Sequence, residues 1–208
     1  MTKYISALRR SRGVLLLVIT TGIGTLSNVV AQRLGTKAVL VLFALTPIAV
    51  TKYLFIWQPV TYMFLHNGLL GFSYSAIVVL IFGPRLELYW GTSRFIRFYV
   101  LCGIVAGITL IIADSALKSA PRPVLGAGGP VFGIIVAYAV TFPKELWWRI
   151  PIRYLAILYV AIETIGAYSQ TDTSDISHIT NLAGGLFGLF YLRSAQANKD
   201  TLASSGHN

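Results

Sequence analysis

The sequence is poor in charge and contains a single cysteine. Of its 208 residues, 12% are charged and 55% are apolar, whereas a soluble domain carries about twice that charged fraction. So few charged residues cannot cover the surface of a soluble protein of this size. Lipid must therefore contact much of the surface of this protein. Cys102 lies inside an apolar run, which excludes a disulfide framework and a cysteine metal cluster. The composition therefore predicts an integral membrane protein, and no residue pattern indicates a metal or a cofactor.

Acidic residues are scarcer still, with 7 Asp and Glu against 17 Lys and Arg and a net charge of +10. In a soluble protein this balance would suggest a nucleic-acid partner. Here the basic residues fall in small clusters between apolar stretches, so we expect no nucleic acid and interpret the charge as a determinant of orientation. With the N-terminus inside, the inner segments hold 12 Lys and Arg and the outer segments hold 5. Both termini are therefore predicted to be cytoplasmic.

Six apolar stretches approach the length of about 20 residues that crosses the hydrocarbon core of a bilayer. They lie at residues 13–33, 68–84, 94–113, 125–142, 152–168 and 176–194. We predict an all-α membrane protein with six transmembrane helices. Its parts are a cytoplasmic N-terminus at residues 1–12, the six-span bundle at 13–194 and a polar, featureless cytoplasmic tail at 195–208.

Residues 34–67, between the first and second predicted spans, differ from the other connections. They are rich in apolar and aromatic residues such as Trp57 and Tyr62, yet Pro47 and Pro59 interrupt them. This segment is too apolar for open water and too interrupted to cross the bilayer. We expect a long outer loop that lies in the membrane interface, where Trp and Tyr are favoured.

Pairs of glycines spaced four residues apart mark three of the predicted spans. Such a pair removes side chains from one face of a helix and lets the backbone of another helix approach. Three pairs in three spans predict a compact bundle. They are Gly103 and Gly107, Gly129 and Gly133, and Gly184 and Gly188.

Four motifs occur in a fixed order along the chain. They are WQPVTYMFLH (57–66), FGPRLELYWG (82–91), GAGGPVFG (126–133) and ISHITNLAGGLFG (176–188). With these motifs, residues 38–193 resemble the rhomboid family of intramembrane serine proteases. The order, the spacing and the long outer loop are similar to those of a six-span bacterial rhomboid. The resemblance implies that fold and a location in the bacterial inner membrane.

The resemblance also implies which side chains an active member needs. A serine at the mouth of span four attacks the peptide carbonyl, a histidine in span six takes its proton, and a histidine and an asparagine in span two hold the oxyanion. In this sequence those positions fall on Gly128, Asn181, Gly71 and Ser75 respectively. Glycine has no side chain, and an asparagine amide is no base near neutral pH. The chain is thus predicted to be a rhomboid pseudoprotease.

Two polar residues outside these positions are predicted to have structural roles. His66 is expected to brace the outer loop through a hydrogen bond, although donation to a substrate is the alternative. Glu87 follows the second motif's proline and is expected to brace the inner end of span two, as the resemblance implies.

Glu163 is the one carboxylate inside an apolar predicted helix. An ionisable residue at that depth suggests a proton or ion path, but a structural hydrogen bond to a neighbouring helix is the interpretation we favour. His178 is expected to pair with Asp175 or Thr180 in a capping or interfacial role at the outer end of span six.

The function that these observations favour is binding. We expect a catalytically inactive rhomboid-like protein that contacts the lipid bilayer and recognises transmembrane helices, or serves as a subunit or assembly factor of a membrane complex. One alternative is an active rhomboid intramembrane serine endopeptidase with displaced catalytic residues, against which no serine lies between Ser119 and Ser169. The other is a transporter or proton path built around Glu163, against which that carboxylate stands alone.

Overall fold

The computed structural model of the protein describes the backbone of residues 2–117, 122–147, 149–168 and 174–205. It describes the side chains of residues 6–115, 122–146, 149–165 and 177–194. The α-helices in these ranges are α1 (Thr2–Arg10), α2 (Arg12–Arg33), α3 (Ala38–Phe43), α4 (Pro47–Tyr53), α5 (Gln58–Thr61), α6 (Leu69–Trp90), α7 (Thr92–Leu117), α8 (Gly128–Thr141), α9 (Ile152–Tyr168) and α10 (Ser174–Ser205). A 3-10 turn spans Tyr62–Phe64, and an antiparallel hairpin pairs β1 (Leu146–Trp147) with β2 (Ile150–Pro151).

A helix lies at each of the six predicted spans, namely α2, α6, α7, α8, α9 and α10. Three described stretches are long and apolar enough to cross a membrane, and these are Arg12–Arg33, Leu69–Trp90 and Thr92–Ser115. Gly128–Thr141 is a shorter apolar helix. The prediction of an all-α membrane protein is confirmed, while the count of six spans stays a prediction.

Both ends of the chain contain more helix than the sequence patterns indicated. α1 occupies most of the segment predicted as a plain N-terminus, and α10 continues through the predicted featureless tail to Ser205. The reason is compositional, because residues 195–203 include Ala, Gln, Lys and Leu, which favour helix, and the first glycine beyond span six is Gly206.

The long loop is a series of short helices, and hydrogen bonds hold it together and attach it to the bundle. Gln58 is fully buried, donates to the carbonyl of Val41 at 3.0 Å and accepts from the backbone N–H of Thr46 at 3.0 Å. The hydroxyl of Tyr62 donates to the carbonyl of Gly103 in α7 at 2.8 Å. The loop nevertheless leaves apolar side chains exposed, such as Ile56 at 74%, which suits a segment that lies against lipid.

One end of the bundle gathers most of the basic residues. The Glu87 carboxylate, near the end of α6, accepts hydrogen bonds from the first turn of α2, and Arg85 pairs with Glu145 in the connection from α8 to α9. The start of α2, the end of α6 and that connection therefore share one end. We call it the basic end, and the opposite one the loop end. Basic residues at the basic end are Arg9, Arg10, Arg12, Arg85, Arg94, Arg97, Lys144, Arg149 and Arg153.

The centre of the bundle is α8, which packs against α6, α7, α9 and α10. Glycines make this packing close. A Cβ added at Gly184 would lie 2.7 Å from the Cα of Gly129, and one added at Gly188 would lie 3.3 Å from the Cα of Gly133. On the α7 side, a Cβ at Gly133 would lie 2.6 Å from the sulfur of Cys102. Two of the glycine pairs thus bring the backbones of α8 and α10 into direct contact.

Candidate functional site at the junction of α8, α9 and α10

The turn before α8 fixes the position of Gly128 at the loop end. Gly126 has a φ of +124°, a conformation that L side chains rarely adopt. Its N–H donates to the carbonyl of Tyr62 at 3.1 Å, which ties the turn to the long loop. Gly128 is then the first residue of α8. The sequence therefore uses glycine to turn the chain into the helix at this point.

Asn181 of α10 lies directly against Gly128. A Cβ added at Gly128 would lie 2.9 Å from the side-chain amide carbon of Asn181, closer than real Cβ contacts come. These two positions are the ones that the rhomboid resemblance assigns to the nucleophile and the base, and it predicts that they are neighbours. They are, but the described residues provide neither a hydroxyl nor an imidazole at these positions.

The buried carboxylate of Glu163 in α9 joins this junction. It is 5% exposed. The amide Nδ2 of Asn181 lies 3.3 Å from both carboxylate oxygens, and Nδ1 of His178 lies 2.7 Å from Oε2. The favoured interpretation of Glu163, a hydrogen bond to a neighbouring helix, matches this geometry. The carboxylate ties α9 to α10.

The described partner of His178 is Glu163, which the sequence did not suggest, and the pairing with Asp175 stays a prediction. The hydroxyl of Thr180 donates to the carbonyl of Ser177 at 2.8 Å, and the side chain of Asp175 lies outside the described residues. The reason is helical geometry, because His178 and Asn181 are three residues apart and share a face of α10. That face meets α9, so His178 reaches Glu163.

A line of polar side chains extends from this cluster to α6. The hydroxyls of Tyr74 in α6 and Tyr159 in α9 are 2.7 Å apart, and Tyr159 also interacts electrostatically with Glu163. Polar side chains thus connect α6, α9 and α10 near the loop end. The His178 side chain is 30% exposed, against 7% for the Glu163 side chain.

The remaining two positions of the resemblance, Ser75 and Gly71, lie beside His66. Nε2 of His66 is 2.9 Å from the Ser75 hydroxyl, and Nδ1 is 3.4 Å from the Thr25 hydroxyl of α2. A Cβ at Gly71 would lie 3.3 Å from the His66 ring. The rhomboid resemblance also implies that Ser75 and Gly71 border the same pocket as Asn181. The described contacts place both residues beside His66, and a pocket shared with Asn181 stays a prediction.

His66 is a buried, neutral brace. Burial lowers its pKa to about 4, so the imidazole is uncharged near neutral pH. Its backbone carbonyl accepts from Nδ2 of Asn28 at 3.0 Å. Together with the Thr25 and Ser75 contacts, this fastens the end of the long loop to both α2 and α6, the role expected for this residue.

The Ser75–His66 pair has the spacing of a nucleophile and its base, but its surroundings do not suit catalysis. Ser75 is 6% exposed and His66 is 5% exposed. The cavity beside Ser75 measures about 10 Å³, room for roughly one water molecule. A peptide bond does not fit there, and an imidazole with such a low pKa is a weak base at neutral pH.

Glu87 forms a separate polar cluster at the basic end. It is 2% exposed. Its two oxygens accept from the backbone N–H groups of Gly13 and Val14, each at 2.8 Å, and the Thr92 hydroxyl donates to it at 2.6 Å. The carboxylate thereby caps α2, where it also meets the positive end of the helix dipole. The sequence placed Glu87 as a brace of α6 but gave no indication of α2 as its partner.

Comparison with known proteins identifies relatives of this chain. The Rhomboid domain family model matches residues 53–195. Rhomboid-related protein 1 of Caenorhabditis elegans is 27% identical over 146 residues, which are 65% of this chain and 38% of that protein. Rhomboid protease GluP of Bacillus subtilis is 27% identical over 134 residues, which are 63% of this chain and 25% of that protein.

RHOMBOID-like protein 5 of Arabidopsis thaliana is 30% identical over 142 residues, which are 65% of this chain and 44% of that protein. The chain therefore spans less than half the length of these three curated relatives. The family model, in contrast, matches more than half of the chain, and its span runs from the long loop to α10. This chain belongs to the rhomboid family.

Proposed function

We propose that this rhomboid-family protein is catalytically inactive and binds the transmembrane helices of other membrane proteins, as a recognition subunit or assembly factor of a membrane complex. The observation that carries the proposal is the contact between Gly128 and Asn181. Serine-type hydrolysis needs a hydroxyl and a base about 2.6–3.2 Å apart. Here the first position has no side chain, and the amide of the second donates to Glu163.

The stabilisation of an oxyanion is weakened in the same way. An oxyanion hole alone leaves about 10³–10⁴-fold acceleration when a catalytic triad is lost. In this chain the two donor positions are Gly71, which has no side chain, and Ser75, whose hydroxyl is held by His66. We therefore expect even that residual catalysis to be lost.

A groove between α6, α8 and α9 supports helix binding. It measures about 300 Å³ and is almost wholly apolar. Direct contact between α6 and α9 is sparse, and the Tyr74–Tyr159 hydrogen bond bridges them. Close van der Waals packing drives helix association in membranes, and a helix entering between α6 and α9 would meet such a surface. The groove is lined by Tyr74, Ile77, Val78, Ile81, Phe82, Ile135, Ile152, Leu155 and Tyr159.

The test of inactivity is covalent labelling. The purified protein is incubated with a fluorophosphonate probe and, separately, with a single-span rhomboid substrate, beside an active rhomboid protease in the same detergent. We expect no added mass and no cleavage product. A labelled serine would overturn the proposal, and Ser75→Ala would show whether the His66–Ser75 pair is responsible.

A proton path is the second candidate function, and the line of polar side chains from Tyr74 through Tyr159 to Glu163 and His178 favours it. The line is short, and it ends near the loop end in the described part of the chain. Proton uptake by proteoliposomes carrying the wild type or Glu163→Gln separates the candidates. Uptake that depends on Glu163 would favour the path over helix binding.

We also propose that the basic end faces the cytoplasm of a bacterial inner membrane. The concentration of arginines at that end supports this orientation, because basic residues are retained on the cytoplasmic side. Single cysteines introduced at Lys37 and at Arg97 in a Cys102→Ala background test it, since both positions are exposed. A membrane-impermeant thiol reagent added to intact cells should label position 37 and spare position 97.

A further inference from the structure

A second groove lies between α8, α9 and α10, distinct from the one between α6, α8 and α9. It measures about 280 Å³ and is again almost entirely apolar. On α9 its residues are spaced 3, 4 and 7 apart and so form one continuous face. Its lining consists of Val136, Ala139, Val140, Arg153, Ala156, Ile157, Val160 and Leu189.

Arg153 is the one charged residue among the described residues that line this groove. It lies in the first turn of α9, at the basic end, and its side chain is exposed. Its guanidinium lies 4.9 Å from the Tyr154 ring centre and donates to the Tyr154 hydroxyl at 3.2 Å. Glu145, the nearest carboxylate along the chain, pairs with Arg85 and accepts a hydrogen bond from the Tyr138 hydroxyl. Within the described residues, Arg153 has no anionic partner.

The neighbouring charges have the same sign. Lys144 and Arg149 lie in the connection between α8 and α9, and both are exposed. Arg149 has a φ of +68° beside the β1–β2 hairpin. The groove therefore has Arg153 at its basic end, near two further basic residues in the chain, and an apolar trough leading away from it.

We propose that this groove binds one anionic phospholipid, with an acyl chain along the trough and the phosphate at Arg153. Charge complementarity decides the occupant. Lipid tails are as apolar as the groove, so the trough alone cannot select a ligand inside a bilayer. A basic residue near the surface provides the selection, and its attraction to an anionic headgroup corresponds to about a fivefold preference.

Native mass spectrometry of the full chain tests the proposal. The protein in mild detergent is incubated with equal amounts of phosphatidylglycerol and phosphatidylcholine that carry the same acyl chains. We expect one retained phosphatidylglycerol, preferred about fivefold over phosphatidylcholine. Arg153→Gln should abolish the preference, whereas Arg153→Lys should keep most of it because the charge remains.

Two further variants distinguish a site from a general charge effect. Arg97→Gln removes one exposed charge from the same end but outside the groove, and it should leave the preference unchanged. Val140→Trp places a ring on the half-exposed rim of the trough and should lower the retention of both lipids. Equal losses in Arg153→Gln and Arg97→Gln would overturn the proposal, as would unchanged retention in Val140→Trp. Circular dichroism of each variant verifies that it is folded.

Discussion

Replacing Gly184 by alanine tests how closely α10 is held against α8. The added Cβ would lie 2.7 Å from the Cα of Gly129 and 2.5 Å from its carbonyl oxygen. Ordinary contact begins at 3.4 Å, so the two backbones must separate by about 0.7–0.9 Å. Backbone atoms cannot rotate away as a side chain can. The movement would also loosen the contact between Gly133 and Gly188 one turn further along.

The size of the effect follows from two opposing contributions. Overpacking of a tight interior costs about 1–3 kcal/mol, while alanine gains about 1 kcal/mol over glycine in helix propensity. We expect Gly184→Ala to lower the free energy of unfolding by up to about 2 kcal/mol. Gly22→Ala is the matched control, because its nearest neighbour is the tip of the Phe72 ring at 3.3 Å, which can move aside. That variant should be as stable as the wild type or slightly more so.

Unfolding in mixed micelles with a rising fraction of sodium dodecyl sulfate, followed by circular dichroism, measures both variants. If Gly184→Ala unfolds at the same denaturant fraction as Gly22→Ala, the close contact between α8 and α10 is not what stabilises the bundle. The reasoning from glycine geometry would then be refuted.

Three further predictions follow from buried polar groups. Glu87→Gln should lower the free energy of unfolding by about 2–3 kcal/mol, because an amide N–H would face a backbone N–H of α2. The control Glu145→Gln removes a charge from a half-exposed ion pair and should change the free energy of unfolding by less than about 1 kcal/mol. Similar effects of the two variants in micelle unfolding would contradict the capping role of Glu87. Lowering the pH from 6.5 to 4 should destabilise the wild type more than His66→Gln. The reason is that the imidazole of the unfolded chain takes up a proton near pH 6.5, whereas the pKa of the folded imidazole is about 4. Parallel pH profiles of the unfolding midpoint would argue against a neutral buried His66. Glu163→Gln should stay folded with at most about 1–2 kcal/mol lost, because the amide keeps one acceptor, and proteoliposomes carrying it should take up protons no differently from the wild type.

The apolar stretches and the glycine pairs predicted most of the architecture. Every stretch proposed as a span contains a helix, and the pair at 184 and 188 lies where two backbones meet. Both features are local in the sequence. A run of apolar residues indicates a helix in lipid or in the core, and two glycines four residues apart indicate a helix face without side chains. The approach of Gly128 to Asn181 was also predictable, because the family motifs carry the tertiary arrangement with them.

Partners across the bundle could not be predicted in the same way. The carboxylate of Glu87 caps a helix that begins 75 residues earlier in the chain, and no spacing in the sequence indicates such a contact. The structure explains the contact: Ser11, at the N-cap of α2, makes no side-chain capping bond, so the buried N–H groups of the first turn need another acceptor. His178 was assigned to nearby residues for the same reason, although its face of α10 is turned towards α9.

The central claim, binding of transmembrane helices without cleavage, is tested most directly by the mass of a captured peptide. A photoreactive amino acid replaces Ile77, which lines the α6–α9 groove and is 54% exposed. The variant is reconstituted with a single-span peptide, irradiated, and analysed by intact mass spectrometry. We expect an adduct that carries the full-length peptide, with no shortened peptide in the mixture. A truncated peptide, whether free or cross-linked, would contradict the account and identify the chain as an active protease.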